Sequence, residues 1–245
     1  MKQNYLLILF FISLILLIGY NSFDSKVTNF LTNKKTIVVS RIIDGDTVVL
    51  GDGNHVRLLG INAPEKGEVG YEEAKDFLSK KVLNKSVTLV YGSKKYDLYK
   101  RELAYIFLGD ENINLESVEK GYSGYYFPKG KAEYYSKFYD AWENCMKENI
   151  GICERRNEPC LRFYWAHDKD IFKITNVCVK NIDLNGYSVK DEGRKKYVFS
   201  NEILKPNESV TLTSKEFNKT YVWTNTGDSV FVRDENNKLI YFNTY

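Results

Sequence analysis

The chain has no C-x-x-C pair, and neither of its two histidines, His55 and His167, lies within a few residues of a cysteine. Those absences argue against the common structural zinc modules, which need Cys or His ligands at short spacing. Internal repeats and low-complexity tracts are also missing, which excludes solenoids, propellers and linker-like tails. No strong surplus of one charge exists either. A formal net charge of +3 over 245 residues is too small to announce a partner by itself. What remains is a composition of 43% hydrophobic and 27% charged residues, typical of globular domains. Nineteen tyrosines and fourteen phenylalanines suit β-rich packing better than helical bundles. The length allows two ordinary domains, or one with appendages.

Residues 1–22 stand apart. "MKQNYLLILFFISLILLIGYNS" carries one lysine and then an uncharged apolar run from Tyr5 to about Tyr20. Such a run serves as a long signal-peptide core or a short membrane-spanning helix of roughly 17–25 residues. The flank Ile18-Gly19-Tyr20-Asn21-Ser22 offers no small-x-small cleavage site, and no cysteine is there to accept a lipid. The expectation is a single-pass anchor with the rest of the chain on the extracellular side; the alternative is a cleaved signal and secretion. Residues 23–35 read as a polar spacer. The four cysteines, Cys145, Cys153, Cys160 and Cys178, then lie in a compartment where disulfides persist. Their three possible pairings stay open.

From Thr36 the texture changes to alternation and β-branched residues. "TIVVSRIIDGDTVVL" predicts two strands around an Asp-Gly turn, and "HVRLLGI" a third strand after the turn "GDGN". "YEEAKDFLSKKVLNK" places Ala74, Phe77, Leu78 and Val82 at helical spacing. "SVTLVYG" and "RELAYIFLG" are two more strands. Helices follow at "INLESVEKG", stopped by Gly121, and from about Ala132 to Asn149, stopped by Gly151. Five strands with a helix between the third and fourth predict a Greek-key barrel of the OB type over residues 36–153. Residues 154–162 read as a linker. Residues 163–245 then show short alternating runs ("DIFKITN", "GYSVKD", "KYVFS", "ESVTLTS", "TYVW", "DSVFVRD", "KLIYF"), the pattern of an immunoglobulin-like sandwich. The fold class is therefore α+β, a barrel followed by an all-β domain.

Charges at the barrel's strand ends carry the chemistry. Asp46 leaves a turn; Arg57 and Glu65 bracket "RLLGINAPE", with Asn62 three residues before Glu65; "DLYKR" leads into the fifth strand. Arginine forks grip phosphate bidentately and stabilise charge growing on phosphoryl oxygens. Asp46 and Asn62 offer hard oxygens of the kind calcium takes, about six to eight at a time. Glu65 is suited to activate a water. Together these are the parts for attacking a phosphodiester.

The motifs "IDGDTV", "VRLLGINAPE", "YEEAKDFL", "DLYKRELAYIF" and "INLESVEKGYSGYYF", in this order, resemble the staphylococcal-nuclease (thermonuclease) family over about residues 36–153. The resemblance implies a five-stranded OB-type barrel with three helices that hydrolyses DNA and RNA with Ca2+. It makes Asp46 a calcium ligand, with Asn62 and the Ala63 carbonyl at the other ligand positions. Glu65 would be the general base, and Arg57 and Arg101 the transition-state arginines. Tyr99 would bond a terminal phosphate of the bound nucleotide, and Tyr125 or Tyr126 would stack a base. Two departures stand out. Asn62 replaces the family's usual aspartate, which predicts weaker metal binding, and Leu98 replaces a lysine that contacts phosphate. Departures of this kind leave an alternative, a catalytically weak or inactive membrane-tethered nucleic-acid-binding protein. Residues 36–156 hold 18 Lys and Arg against 19 Asp and Glu, a net −1. A duplex-wrapping surface would be basic, so single-stranded substrate held at one or two phosphates fits better. Residues 163–245 resemble the lamin-tail type of domain, a holder of DNA, a surface or another protein. The chain is expected to act as a monomer.

Overall fold

The computed structural model describes residues 34–128 and 134–245. The expected anchor and nearly all of its spacer lie outside them. Among the described residues, no helix is long and apolar enough to cross a membrane.

The barrel uses β1 (Lys34–Ile42), β2 (Thr47–Leu50), β3 (His55–Leu58), β5 (Ser86–Tyr96) and β6 (Glu102–Leu108). Neighbours run β3-β2-β1-β5-β6, and a parallel pairing of Val56–Leu58 with Glu102–Ala104 closes the ring. Inward residues Val39, Val48, Val56, Leu58, Leu89 and Ile106 make one core with α1 (Tyr71–Val82), α2 (Ile113–Glu119) and α3 (Tyr135–Glu148). The apolar face predicted for α1 is the buried one: Ala74, Phe77, Leu78 and Val82. Asn112 caps α2, its side chain accepting from Leu115 N.

One detail differs from expectation. The third strand breaks after Leu58 and resumes as β4 (Gly60–Asn62), which pairs with β8 (Gly124–Tyr126) instead of staying in the barrel. Gly60 makes the break, at φ 76°, where a Cβ would meet the Phe138 ring at 3.0 Å. The last helix stops at Asn149, itself left-handed, two residues before Gly151. A short β7 (Glu111–Asn112) adds to the barrel edge.

The second domain opens with β9 (Leu161–Ala166), which the sequence reading assigned partly to the linker. With β10 (Ile171–Asn176) and β15 (Ser209–Leu212) it forms one sheet. The other contains β12 (Ser188–Lys190), β13 (Lys196–Val198), β16 (Ser229–Arg233) and β17 (Leu239–Thr244). Between the sheets, Phe172, Leu184, Val189, Phe199, Trp223 and Val230 form a second core, with β11 (Ile182–Asp183) and β14 (Ile203–Leu204) as a minor pair. "TYVW" is not a strand. The Val222 and Trp223 amides donate to the Asp170 carboxylate, leaving no ladder for them to join. Disulfides join Cys145 to Cys153 and Cys160 to Cys178.

The two domains share apolar surface. Phe231, Leu239 and Phe242 of the tail pack into the barrel core, where the Trp142 ring lies 5.5 Å from Phe231 and 5.8 Å from Phe242.

Candidate active site

Three chain segments meet at one end of the barrel: the β1–β2 turn, the β3–β4 break and the stretch after β4. The turn can approach this closely because residue 45 is glycine. A Cβ there would lie 2.6 Å from Ala74 Cβ and 2.7 Å from Ala63 Cβ. Asp44 Oδ1 accepts from Asp46 N at 3.0 Å and fixes the turn.

Asp46 is buried with its carboxylate fully engaged. Its Oδ1 accepts from Thr47 Oγ1 at 3.0 Å, and Oδ2 accepts from Ala63 N at 3.0 Å. Arg57 Nη2 lies 3.1 Å from the same Oδ2. Arg57 also donates from Nη1 to the carbonyls of Leu58 (2.6 Å) and Ile61 (2.9 Å), and from Nη2 to Asn62 Oδ1 at 3.4 Å. The two carbonyls belong to the strand break, so the kink at Gly60 and the orientation of Arg57 are one feature. Burial pushes the Arg57 guanidinium down from its ordinary value. Asp46 opposes that shift, while the fields of Arg101 and Arg194 add to it. An arginine stays cationic at neutral pH regardless. Asp44 shifts up, from burial first and the Asp46 charge second.

The remaining expected residues fall into three groups. Arg101 and Tyr99 lie on the exposed turn before β6. Arg101 Nε is pinned to Asp97 Oδ2 at 2.7 Å, and its guanidinium lies 5.6 Å from the Tyr99 ring centroid. The Glu65 carboxylate is 49% exposed and paired at 2.7 Å with Arg194 of the tail domain. Tyr125 is a correction. It is 1% exposed, its hydroxyl 2.5 Å from Ser229 Oγ and its ring edge-on to Trp142, so it has no face for a base. Tyr126, half-buried on the same strand, remains available.

The donor set suits a hard cation. All its candidate ligands are oxygens: the carboxylates of Asp44 and Asp46, the Asn62 amide and the Ala63 carbonyl. The like-charge strain between Asp44 and Asp46 is of the kind a cation relieves. Among the described residues, no group of three or more His, Cys, Asp or Glu gathers as metal ligands. Waters would have to complete a calcium shell here.

The sequence reading missed the tail domain's share of this site. Asn62 Nδ2 donates to the Gly193 carbonyl at 2.9 Å, and Phe127 N donates to Glu192 Oε1 at 2.6 Å. Those residues, with Arg194, belong to "DEGRK", a charged hairpin turn with no motif to mark it. Asp44 was also missed, although it stands in the same turn as Asp46.

The fold and site are those of an OB-type barrel carrying a buried acid–arginine pair, an adjacent amide and a second, half-exposed arginine. Residues 55–155 match the profile described as staphylococcal nuclease homologue, and residues 162–245 match that of the lamin tail domain. The thermonuclease of Staphylococcus intermedius is 31% identical over 130 residues, covering 49% of this chain and 77% of that protein. The thermonuclease of Staphylococcus hyicus is 30% identical over 129 residues, covering 48% and 76%. An uncharacterized endonuclease of Haemophilus influenzae is 37% identical over 142 residues, covering 56% and 76%. The chain belongs to the staphylococcal nuclease homologue family and carries a lamin tail domain after it.

Proposed function

We propose that this protein is a calcium-dependent nuclease that hydrolyses phosphodiester bonds of single-stranded DNA or RNA outside the membrane that its first residues anchor it to. The observation that carries the reading is the buried Asp46–Arg57–Asn62 cluster, in a chain whose relatives include thermonucleases. Asp46, Asn62 and the Ala63 carbonyl would hold the ion. When bound, calcium supplies positive charge that polarises the phosphoryl oxygens.

The chain's own groups do the rest. Glu65 takes a proton from the water whose oxygen attacks phosphorus. Arg57 and Arg101 stabilise the negative charge that grows on the equatorial oxygens as the bond to the leaving oxygen breaks. Arg57 is held for this by four internal acceptors; Arg101 is steered by Asp97, which engages its backbone amide and, of its guanidinium, only Nε. Tyr99 would contact a terminal phosphate and Tyr126 a base.

A second reading, binding without cleavage, is favoured by one contact: the Glu65 carboxylate is occupied by Arg194. One assay separates them. Purified protein is incubated with labelled single-stranded DNA or RNA, with calcium or with chelator. Calcium-dependent shortening of the strand supports the nuclease. Binding with no cleavage under any divalent metal supports the second reading.

A further inference from the structure

The hairpin between β12 and β13 reaches out of the tail domain and seats its turn against the barrel's site. Its conformation is fixed locally: Asp191 N donates to Lys195 O at 3.0 Å and Lys195 N donates back to Asp191 Oδ1 at 2.9 Å. It is also fixed to the barrel, through Glu192 on Phe127 N, Gly193 O on Asn62, and Lys196 Nζ on Glu68 at 2.9 Å. Arg194 is therefore presented by a doubly braced turn, not by a loose loop.

Its side chain is nevertheless 60% exposed. The Arg194–Glu65 pair uses Nε alone, and both partners are well solvated. Pairs of that kind contribute little and exchange readily. The guanidinium edge that carries Nη1 and Nη2 has no partner among the described residues. That edge is the one that grips phosphate bidentately.

Beyond Arg194 a groove of about 420 Å³, the size of a small ligand cleft, continues along the tail domain between Tyr126, Pro128, Lys219 and Tyr221. Gly193, which lines the groove, accepts from Asn62 Nδ2 at 2.9 Å, so the groove and the barrel's site adjoin. The acids lining it, Asp191, Glu192 and Asp228, are buried beneath its floor and occupied by backbone N–H donors. The accessible charges are then the cations Arg194 and Lys219, with the part-exposed Lys195 beside them. Tyr221 is 52% exposed, with Lys195 Nζ 4.1 Å from its ring centroid, on a ring suited to base stacking.

We infer that the substrate groove is composite, running from Arg57 and Arg101 onto the tail domain. There Arg194 leaves Glu65 to hold a backbone phosphate of a single strand, and Tyr221 stacks one of its bases. This rests on the nuclease reading for its substrate class. It adds two contact residues that the barrel alone does not contain. Binding of a strand shifts this exchange toward a free Glu65, which links occupancy of the tail groove to the base.

The test uses the full-length protein and a fluorescein-labelled single-stranded oligonucleotide, with anisotropy measured in chelator across a salt series. Parent, Arg194→Ala, Arg194→Lys and Tyr221→Ala are compared, with melting curves to confirm folding. Arg194→Ala should weaken binding about tenfold at low salt and lower the slope of log K against log salt by about 0.7, one single-strand phosphate contact. Arg194→Lys should keep the parent's slope. Tyr221→Ala should weaken binding about fivefold or more with the slope unchanged. Equal affinity and slope for parent and Arg194→Ala overturns the inference. So does faster calcium-dependent cleavage by Arg194→Ala with unchanged binding, which would make the residue an inhibitory latch on Glu65. A parent that binds no oligonucleotide overturns it too. A parent that binds but never cleaves counts against the nuclease reading alone.

Discussion

Restoring the family's usual carboxylate at position 62 should cost stability before it gains anything in metal affinity. Asn62 is buried, and its Nδ2 donates to Gly193 O at 2.9 Å while its Oδ1 faces Arg57. In Asn62→Asp the donor becomes an acceptor, set against a carbonyl oxygen that then has lost its partner. Leaving such a group unsatisfied costs about 1–3 kcal/mol. The new charge also stands beside Asp46, with Arg57 already committed to that acid at 3.1 Å. Burying a second anion against one cation adds a further few kcal/mol, offset in part by the closer Arg57 contact. The sum is a destabilisation of about 2–4 kcal/mol without metal, falling on the junction of the two domains. Calcium should reverse most of it, since an ion at about 100 times its dissociation constant stabilises by about 2.7 kcal/mol. The assay is denaturation of parent and variant in chelator and across a calcium series, with cleavage followed in parallel. Half-maximal cleavage should need less calcium in the variant. Denaturation midpoints that superimpose in chelator would refute the role given to the Asn62 amide.

Other perturbations test neighbouring parts of the same account. Arg101→Lys should lose about 10²-fold in turnover with an unchanged melting temperature, because Arg101 is half-exposed and an ammonium cannot reproduce the fork. Arg57→Lys should lose turnover and stability together, since four internal acceptors depend on that guanidinium. Parent-like cleavage by either variant removes that arginine from the mechanism. Burial, reinforced by Asp228 and Asp191, pushes the Glu192 carboxyl up to about 8. The folded protein therefore holds a proton there that the unfolded chain releases near its ordinary 4.5. Stability should fall as pH rises from about 4.5 to about 8 and then level off, a loss on the order of 4 kcal/mol. Glu192→Gln, which still accepts from Phe127 N, should flatten that slope in pH-dependent melting; an unchanged slope assigns it to another group. Cys160 and Cys178 close a loop with a sequence separation of 18. Replacing both by serine should cost the tail domain about 3 kcal/mol in denaturant titrations, and no shift would mean the bridge constrains nothing.

How far the sequence could be read depended on whether the cause of each feature was local. The barrel strands were legible because alternation and Asp-Gly turns are local signals, and α1 because its apolar residues recur at helical spacing. The break at Gly60 was not, since its reason is the Phe138 and Phe127 rings, which arrive from distant segments. "TYVW" read as a strand from its side chains alone. Its amides are taken by Asp170, fifty-two residues before Val222, and no local pattern announces that. Tyr125 and Tyr126 show the limit most sharply. Adjacent strand residues face opposite ways, so one must enter the core, but only the position of α3 decides which.

The same distinction explains Asn62. Set beside the barrel alone, an amide where an acid is usual looks like decay of a metal site. Set beside the tail domain, it is the residue type that position requires, because Gly193 presents an acceptor and only a donor can meet it there. Its Oδ1 is thereby turned toward Arg57, which an aspartate would achieve only by leaving Gly193 O unpaired. Cutting the chain in the linker near Arg156 should therefore weaken the barrel's hold on calcium. It also removes Arg194 from Glu65, so the isolated barrel, if it folds, should show a freer base beside a less ordered ligand. Titrating calcium against melting of the isolated barrel and the full protein measures the ligand side directly. A barrel that binds the ion as tightly as the full chain would show that Asn62 needs no help from the tail.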